Sequence, residues 1–348
     1  MQYKKNEFEE DPFLIKKIEV PFVYIDKANH VFNSKYWAWL RPHIQKAMKG
    51  IVTELKMYFG KQISGIAEKN KSQRYRFLEK FLKESDFVFK REISLDEEDP
   101  TLKLFKMPFV KGKKTFQMYG EIYQSGKCCT EFRLEFGSSS SQDLIDEMGH
   151  VLDNNEYKFL AQKNEIDLRY GDASPFGIRI ECLSEILEIA RGSSLEKLKD
   201  EKYGNLFFYD LEKKGITFFV RNLNTKYSGA KFEAGEPYIV KTFIKKNCLD
   251  KQIVRAQYFQ VFYKIIQHES KKNIKRIVCI CESEPIFMRT SPPVRPERMT
   301  MSINVEVTPQ EAKLTEKVPK SSNQPIPEIL EKDGKKNEVF ATLEHQLN

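Results

Sequence analysis

The chain has 348 residues, of which 40% are hydrophobic and 31% charged, and Lys plus Arg outnumber Asp plus Glu by 58 to 50. The 26 Phe and 15 Tyr supply enough apolar surface for a folded core, which excludes a wholly disordered chain. The net charge of +8 favours an anionic partner such as nucleic acid, although many basic proteins of this size are simply soluble.

Targeting signals are absent from the sequence pattern. Charged residues fill the stretch from Lys4 to Asp11, where a signal peptide would have an apolar region. No window approaches the roughly 18 apolar residues that a membrane span requires. The six cysteines form no C-x-x-C pair, and Cys128 and Cys129 are adjacent, which suits reduced thiols better than a metal site. We therefore predict a cytoplasmic protein with no membrane contact.

Residues 1–95 are predicted to be mainly helical after a short extended start. Apolar side chains recur at helical spacing between Tyr36 and Phe59, with Ser34 as the N-cap and Gly60 as the end. Pro42 counts against one unbroken helix. A second helix is predicted over residues 72–83.

Residues 96–290 are predicted to form an α+β core. Two runs that alternate apolar and polar residues, 115–123 and 128–136, flank a loop containing Gly126, which indicates a β-hairpin. The next predicted elements, in chain order, are a helix from Ser141, a strand at 178–183, helices at 185–191 and 195–202, a hairpin at 206–220, a strand at 238–244, a helix at 253–266 and a strand at 274–281. The fold class is thus an antiparallel sheet core with packed helices.

The C-terminal region, residues 291–348, is predicted to be a flexible tail. Prolines recur through it and Phe340 is its only aromatic residue. An internal echo is also present: Glu-Glu-Asp-Pro at 9–12 returns at 97–100, and Pro-Phe-Val follows each copy. We interpret the echo as chance, and the alternative is a duplicated element that begins each of two subdomains.

Common catalytic signatures are missing. The sequence contains no P-loop, G-x-G-x-x-G, G-x-S-x-G or H-E-x-x-H motif. His150 and Asp146 are four residues apart on a predicted helix, where a lone histidine is usually a surface or capping residue. No H-x-H pair occurs among His30, His43, His150, His268 and His345, so the histidine metal clamp of many DNA-nicking enzymes is absent.

Carboxylates on predicted strands form the main candidate metal site. Glu131 and Glu135 share one side of a strand with Arg133, and Arg179 and Glu181 share one side of another. If the strands are neighbours, the three carboxylates would suit Mg²⁺ or Mn²⁺. The alternative is a solvated sheet face with cross-strand ion pairs.

Basic residues interleaved with aromatic residues form the candidate DNA-binding set. Cations fix phosphates and aromatic faces stack on bases, a combination that suits single-stranded or distorted DNA. The alternative is a core with a solvated basic face. The residues predicted to contact DNA are Arg133, Arg179, Lys245, Lys246, Arg255, Lys271, Lys272, Lys275 and Arg276.

The order of these elements resembles a known family, the replication initiators of filamentous phages and rolling-circle plasmids. The matching pieces are residues 130–135, 179–181, 215–220, 238–246 and 254–257. The resemblance implies that a tyrosine attacks a DNA phosphodiester at the origin, with a carboxylate-bound metal polarising the phosphate. It implies Tyr238 as the nucleophile and Lys241 as the residue that offsets phosphate charge, with Tyr227 and Tyr263 as alternatives. Phe243 stands where the family has its tyrosine.

We therefore predict a DNA-binding, replication initiator-like protein that nicks an origin strand with Mg²⁺ or Mn²⁺, although the sequence leaves open whether it is an enzyme at all. The alternative is a non-enzymatic interaction protein or accessory factor of a bacterium, plasmid or virus, with the tail as an arm for a protein partner. A hydrolase of a small anionic substrate ranks last, because no nucleophile–base pair is recognisable.

Overall fold

The computed structural model describes the chain in separate ranges. The ranges are 7–21, 35–59, 81–108, 115–137, 141–153, 156–163, 173–174, 177–178, 180–206, 211, 213–229, 237–250, 252–266, 274–289 and 297–305. The chain divides into two compact units, Met1–Thr308 and Pro309–Asn348. The second unit, which holds most of the predicted tail, lies outside the described residues, as do Ser34, Gly60 and most of the helix predicted at 72–83.

The described elements are four α-helices, two short 3₁₀ turns and seventeen strands. The helices are α1 (Tyr36–Gly50), α2 (Val52–Phe59), α3 (Ser141–Asp153) and α4 (Ile180–Ser194), with 3₁₀ turns at Leu195–Lys197 and Lys246–Cys248. The strands are β1 (Leu14–Lys17), β2 (Leu82–Phe89), β3 (Thr101–Lys106), β4 (Phe116–Gln124), β5 (Lys127–Phe136), β6 (Tyr157–Lys163), β7 (Ala173–Ser174), β8 (Gly177–Ile178), β9 (Leu198–Asp200), β10 (Gly204–Asn205), β11 (Ile216–Tyr227), β12 (Tyr238–Lys245), β13 (Gln252–Ile253), β14 (Tyr258–Ile266), β15 (Ile274–Arg289), β16 (Glu297–Arg298) and β17 (Met301–Val305).

One large antiparallel sheet dominates the fold, and its topology repeats. Its strand order is β1-β3-β4-β5-β2-β11-β15-β14-β12-β6, with β16 added beside β15. Numbered within each half, both halves have the order 1-3-4-5-2, and in both a long helix follows the first strand. We call β1–β5 with α1 the first repeat, and β6, β11, β12, β14 and β15 with α4 the second repeat.

The two repeats meet edge to edge. The second strand of each repeat, β2 and β11, pair antiparallel, with Ser85 opposite Thr225 and Asp86 opposite Asn224. Because each repeat covers the other's open edge, neither β2 nor β11 exposes a row of unpaired backbone groups. The junction therefore makes the two repeats one continuous sheet.

Both long helices lie on the same face of this sheet, which we call the inner face. The main core joins α1 residues such as Trp37 and Leu40, α4 residues such as Leu187, and strand residues from both repeats. Helical spacing explains the α4 contribution, since Leu183, Leu187 and Ala190 fall on one stripe. Helix α3 covers the opposite, outer face of the second repeat, where Leu144 packs with Phe159, Phe243 and Phe259.

A smaller sheet of order β10-β9-β17-β13 flanks the second repeat, and β7 pairs with β8 separately. Its core joins Leu198 and Ile303 to Tyr258 and Phe287 of the large sheet. This sheet includes β17, so ordered structure extends beyond the predicted core boundary at residue 290.

Several sequence predictions are confirmed. The antiparallel α+β class holds, and the predicted hairpin is β4–β5, whose turn residues Ser125 and Gly126 have φ values of 51° and 71°. Such positive φ values at both turn positions match the twist of a two-residue hairpin. The helix from Ser141 and the strand at 238–244 are also present, as α3 and β12.

Other predictions are wrong. The described part of residues 1–95 does not form a separate helical region, because its strands β1 and β2 belong to the large sheet. The predicted strand at 178–183 is the start of α4, and the helix predicted at 195–202 is a 3₁₀ turn followed by β9. The helix predicted at 253–266 is largely β14, whose two faces are both covered, so that its apolar residues do not alternate.

The predicted division at residues 95 and 96 falls inside the first repeat, between β2 and β3. The Glu-Glu-Asp-Pro echo does not mark the structural duplication, because its copies precede β1 and β3 of the same repeat. Within the described ranges, no helix is long and apolar enough to cross a membrane.

Candidate functional site

A row of polar side chains crosses the inner face of the sheet at one level. Thr242, Gln260, Cys281, Thr225 and Ser85 stand directly opposite one another on five adjacent strands, from β12 to β2. All five are buried, at 0–5% exposure. A core rarely places so many polar groups side by side, and buried polar groups cost free energy unless they are hydrogen-bonded. We call these five residues the polar row.

Gln260 ties the polar row to helix α4. Its side-chain amide donates to the carbonyl oxygen of Leu187 at 3.0 Å and lies 3.3 Å from the Thr242 hydroxyl. Its carbonyl oxygen, Oε1, is buried and has no hydrogen-bond partner among the described residues. The amide nitrogen is therefore held in place while its oxygen keeps an unused acceptor.

Three more polar groups without hydrogen-bond partners lie beside Gln260. Tyr258 and Ser283 are directly opposite each other on β14 and β15, two residues along from the polar row. Within the described part of the chain, their buried hydroxyls have no hydrogen-bond partners. Arg191, in the last turn of α4, is 3% exposed, and its Nε is buried without a partner. Its guanidinium acts electrostatically on both the Tyr258 hydroxyl and the Cys281 thiol, so the groups are neighbours. We call Arg191, Tyr258, Gln260 and Ser283 the α4 cluster.

The polar row continues across the junction of the repeats. The hydroxyls of Ser85 and Tyr227 are 3.0 Å apart, and Thr225 forms side-chain hydrogen bonds with both Tyr227 and Cys281. Burial raises the pKa of Cys281 and of Tyr227 above their usual values, so both groups stay protonated at neutral pH. The polar groups in this part of the row are hydrogen-bonded to one another, whereas the α4 cluster keeps buried polar atoms without partners among the described residues.

Apolar side chains surround the α4 cluster on both sides along the strands. Val240 and Phe262 lie next to it on one side, and Ile244 and Leu195 on the other. Mostly apolar surroundings with a few polar groups are the usual composition of a small-molecule site. The arrangement suits a ligand with an apolar chain and one compact polar group, such as a carbonyl, that can accept from two hydroxyls.

A concavity lies on the surface beside the smaller sheet. It has a volume of about 470 Å³ and is lined by Asp200, Glu201, Lys202, Tyr203, Gln252, Arg289, Arg298, Met299, Thr300 and Ser302. The Asp200 carboxylate is already committed to structure, since it accepts from the backbone N–H groups of Lys202, Tyr203 and Ser302 at 2.7–2.8 Å. This cleft is polar and open, in contrast to the α4 cluster.

The structure does not assemble the predicted metal site. Glu131 forms an ion pair with Lys90, and Glu135 with Lys83 at 2.9 Å. Both carboxylates lie on the outer face of β5, because Phe132 and Leu134 between them belong to the inner-face core. Glu181 is not on a strand but in the first turn of α4, and its side chain is outside the described ones.

Among the residues that the structure describes, no group of three or more His, Cys, Asp or Glu side chains is placed to hold a metal ion. Mg²⁺ or Mn²⁺ as a cofactor stays a prediction. The open alternative, cross-strand ion pairs on a sheet face, is what β5 shows.

The predicted nucleophile and its helper are on opposite faces of one strand. Tyr238 is fully buried in the inner-face core, with its ring stacked on Phe262 at 5.4 Å, whereas Lys241 is three residues away on β12 and points to the other face. Strand β12 is five strands from β5, or roughly 24 Å, so Tyr238 is also far from Glu131.

The alternative nucleophiles are also unsuited to attack. Burial raises the pKa of Tyr227 and of Tyr263 above the usual range, which disfavours the phenolate. The Tyr227 hydroxyl is bonded to Ser85, and the Tyr263 hydroxyl contacts the Met148 sulfur at 3.1 Å.

The predicted DNA-binding residues do not form one described surface. Arg133 lies 3.5 Å from Glu84, Arg255 pairs with Glu284 at 2.9 Å, and Lys245 lies 3.4 Å from Glu156. Lys246 follows in a 3₁₀ turn and Arg276 is exposed on β15. Arg179, Lys271 and Lys272, and the side chain of Lys275, are outside the described part of the chain.

Comparison with known proteins gives similarity to solved structures at low sequence identity. No family model matches the chain, and no curated protein matches it. Among solved structures, it is similar to a 12:0-ACP thioesterase from Umbellularia californica, with 8% identity and a TM-score of 0.45 over 82% of this chain and 97% of that one.

Two other similar structures carry related names. An acyl-ACP thioesterase from Bacteroides thetaiotaomicron has 10% identity and a TM-score of 0.42, covering 82% of this chain and 100% of that one. An acyl-CoA thioesterase II from Mycobacterium marinum has 10% identity and a TM-score of 0.36, covering 68% and 91%.

The topology by itself defines the architecture. A sheet of order 1-3-4-5-2 on one long helix, present twice and joined edge to edge, is a double hotdog arrangement. The predicted resemblance to replication initiators is wrong, because the strand order separates Tyr238 from Glu131 and the core buries Tyr238 completely. The predictions of origin nicking, of a phage or plasmid replication role, of DNA as the partner and of an accessory factor are corrected with it.

Sequence reasoning missed the α4 cluster. The available signal was Gln260, a lone amide in the apolar run from Tyr258 to Ile266. The prediction of an amphipathic helix over this run places the amide on a polar helix face and so hides the signal. Arg191 gave no signal, because a basic residue near a helix end is normally solvent-exposed.

Proposed function

We propose that the chain is an acyl-thioester hydrolase whose second repeat holds the thioester against the α4 cluster. The observation that carries the proposal is the set of buried polar atoms without partners, set within an apolar inner face. An apolar acyl chain and a polar thioester carbonyl would satisfy both parts of this surface. A cytoplasmic location, predicted from the sequence, stays part of the proposal.

The hydroxyls of Tyr258 and Ser283 supply hydrogen-bond donors for the carbonyl oxygen. Donors that are already in place stabilise the negative charge that develops on this oxygen when water attacks the carbonyl carbon. The carbon–sulfur bond then breaks, the thiol leaves with a proton, and the carboxylic acid is released. Gln260 Oε1 is a fixed acceptor that can orient the attacking water through one of its O–H groups.

The test is thiol release from acyl-CoA esters of increasing chain length, followed with a colorimetric thiol reagent. We expect the wild-type protein to release thiol, and Gln260→Leu to lower kcat by about 100-fold or more, in line with the loss of a positioned catalytic group. Gln142→Leu is the matched control, because Gln142 is an exposed glutamine that donates to Asp146 within α3 at 2.8 Å and should leave kcat unchanged.

The absence of thiol release by folded wild-type protein across the acyl-CoA series would overturn the proposal. Equal kcat values for wild type and Gln260→Leu would reject the α4 cluster as the site.

A further inference from the structure

Arg191 is a cation buried without an anion. It is 3% exposed, and it forms no ion pair with a carboxylate among the described residues. Burying an unpaired charge is costly, so buried arginines are normally paired with a carboxylate or phosphate. The Arg191 guanidinium can therefore bind an anion that the described residues do not supply.

The groups around Arg191 fit one kind of anion. Tyr258 and Ser283 add two hydroxyl donors that have no partners, and the guanidinium offers a planar fork. The guanidinium and the two hydroxyls can together donate hydrogen bonds to both oxygens of a carboxylate. The flanking Val240, Phe262 and Ile244 are apolar, so the anion should carry an apolar chain.

A purely structural role does not explain why Arg191 is buried. A helix C-terminus favours a cation, but it does so with the side chain at the surface, where water also solvates the charge. The carbonyl of Arg191 accepts from Ser194 Oγ at 2.7 Å, so a backbone acceptor of this last turn is satisfied without the guanidinium. A leucine or methionine would fill the same volume without the desolvation cost.

From this geometry we infer that Arg191, with Tyr258 and Ser283, is a carboxylate-binding site for an acid with an apolar chain. The inference deepens the proposed function and rests on it only for the origin of the acid. The carboxylate is that of the acid released by hydrolysis, because the two hydroxyls that hold the thioester carbonyl in the proposed function then face the carboxylate formed from it.

The test compares octanoate with octanol, its neutral counterpart, by isothermal titration calorimetry. We expect wild-type protein to bind octanoate at least tenfold more tightly than octanol. In Arg191→Met the ratio should approach one, with octanol affinity retained. Arg255→Met is the matched control, because Arg255 is an exposed arginine paired with Glu284, and it should keep the wild-type ratio.

A second readout separates recognition from structure. Arg191→Met should keep or raise the melting temperature of the ligand-free protein, because it removes an unpaired buried charge. Octanoate should raise the melting temperature of the wild type and not of the variant. If Arg191→Met does not fold, the wild-type ratio still decides: equal affinities for octanoate and octanol would overturn the inference.

Kinetics test the product acid as the ligand and separate the inference from the proposed function. Octanoate should inhibit octanoyl-CoA hydrolysis competitively, and the inhibition should be weaker in Arg191→Met. Inhibition of equal strength in wild type and Arg191→Met would contradict binding of the product acid by Arg191. Octanoate binding through Arg191 without any thioester hydrolysis would reject the proposed function and keep the carboxylate site. Hydrolysis with equal affinities for octanoate and octanol would keep the proposed function and reject the carboxylate site.

Discussion

The hydroxyl oxygens of Ser85 and Tyr227 lie 3.0 Å apart across the strand pair that joins the two repeats. Both side chains are buried, and they stand on β2 and β11, the second strand of each repeat. A hydrogen bond at this position links the two halves of the core by side chains as well as by backbone pairing.

Removing one partner of this bond should destabilise the protein. Tyr227→Phe leaves the Ser85 hydroxyl with one fewer partner, and we expect a loss of about 0.5–1.5 kcal/mol in the free energy of unfolding. Ser85→Ala should cost a similar amount, measured by urea denaturation. In the double variant the two losses should be less than additive, and strict additivity would show that the hydroxyls do not interact.

The same Tyr→Phe change at Tyr258 should raise, not lower, the free energy of unfolding. The Tyr258 hydroxyl is buried without a hydrogen-bond partner, so its removal relieves a desolvation cost rather than breaking a bond. We expect Tyr258→Phe to raise the unfolding free energy by about 1 kcal/mol while lowering kcat for thioester hydrolysis. A loss of stability as large as that of Tyr227→Phe would show that the hydroxyl has a structural partner.

Gly120 on β4 is required by the ring opposite it. Gly120 pairs with Phe132 across the hairpin, and a Cβ at residue 120 would overlap the Phe132 ring. We expect Gly120→Ala to cost about 1–3 kcal/mol, since overpacking displaces a buried ring. Gly192→Ala is the matched control, because a Cβ there meets no atom within 4 Å and alanine favours a helix. Equal effects of the two substitutions would contradict the packing.

Cys128 should resist alkylation until high pH. Burial, and secondarily the Glu131 carboxylate, raise the pKa of its thiol to about 11 from the ordinary 9.0. Because the thiolate is the nucleophile, the rate of iodoacetamide modification should reach its midpoint near pH 11. Glu131→Gln should lower that midpoint. A midpoint near pH 9, measured by mass spectrometry of the Cys128 peptide, would contradict the described surroundings.

The raised pKa also affects stability. The unfolded chain loses this proton near pH 9 and the folded chain near pH 11, so the folded state holds more protons between these values. The contribution of Cys128 is therefore complete below pH 9 and falls as the pH rises toward 11.

Local patterns predicted the elements that have one exposed face. Alternation along residues 128–136 identified β5 because the outer face carries Glu131, Arg133 and Glu135, and Ser125-Gly126 identified the turn. Strand β14 was mistaken for a helix because α3 covers one of its faces and α4 the other, which removes the alternation. The start of α4 was mistaken for a strand because Ile178, Ile180 and Cys182 alternate by coincidence with polar residues.

The candidate site could not be derived from the sequence for a related reason. Its members are far apart in sequence: Arg191 is on α4, Gln260 on β14 and Ser283 on β15, and only the pairing of β14 with β15 beneath α4 brings them together. The predicted metal site assumed two neighbouring strands, but Glu181 lies in α4, and Glu131 and Glu135 are paired with lysines on β5. Single-strand patterns determine which residues share a face, but strand order decides which faces meet.

The most direct measurement of the central claim is photo-crosslinking with a non-hydrolysable acyl-CoA thioether that carries a diazirine next to the thioether. We expect adducts on peptides from α4, β14 and β15, suppressed by excess unlabelled acyl-CoA and reduced in Gln260→Leu. Adducts confined to the surface cleft around Asp200 and Arg298, or labelling that unlabelled acyl-CoA does not suppress, would contradict the account.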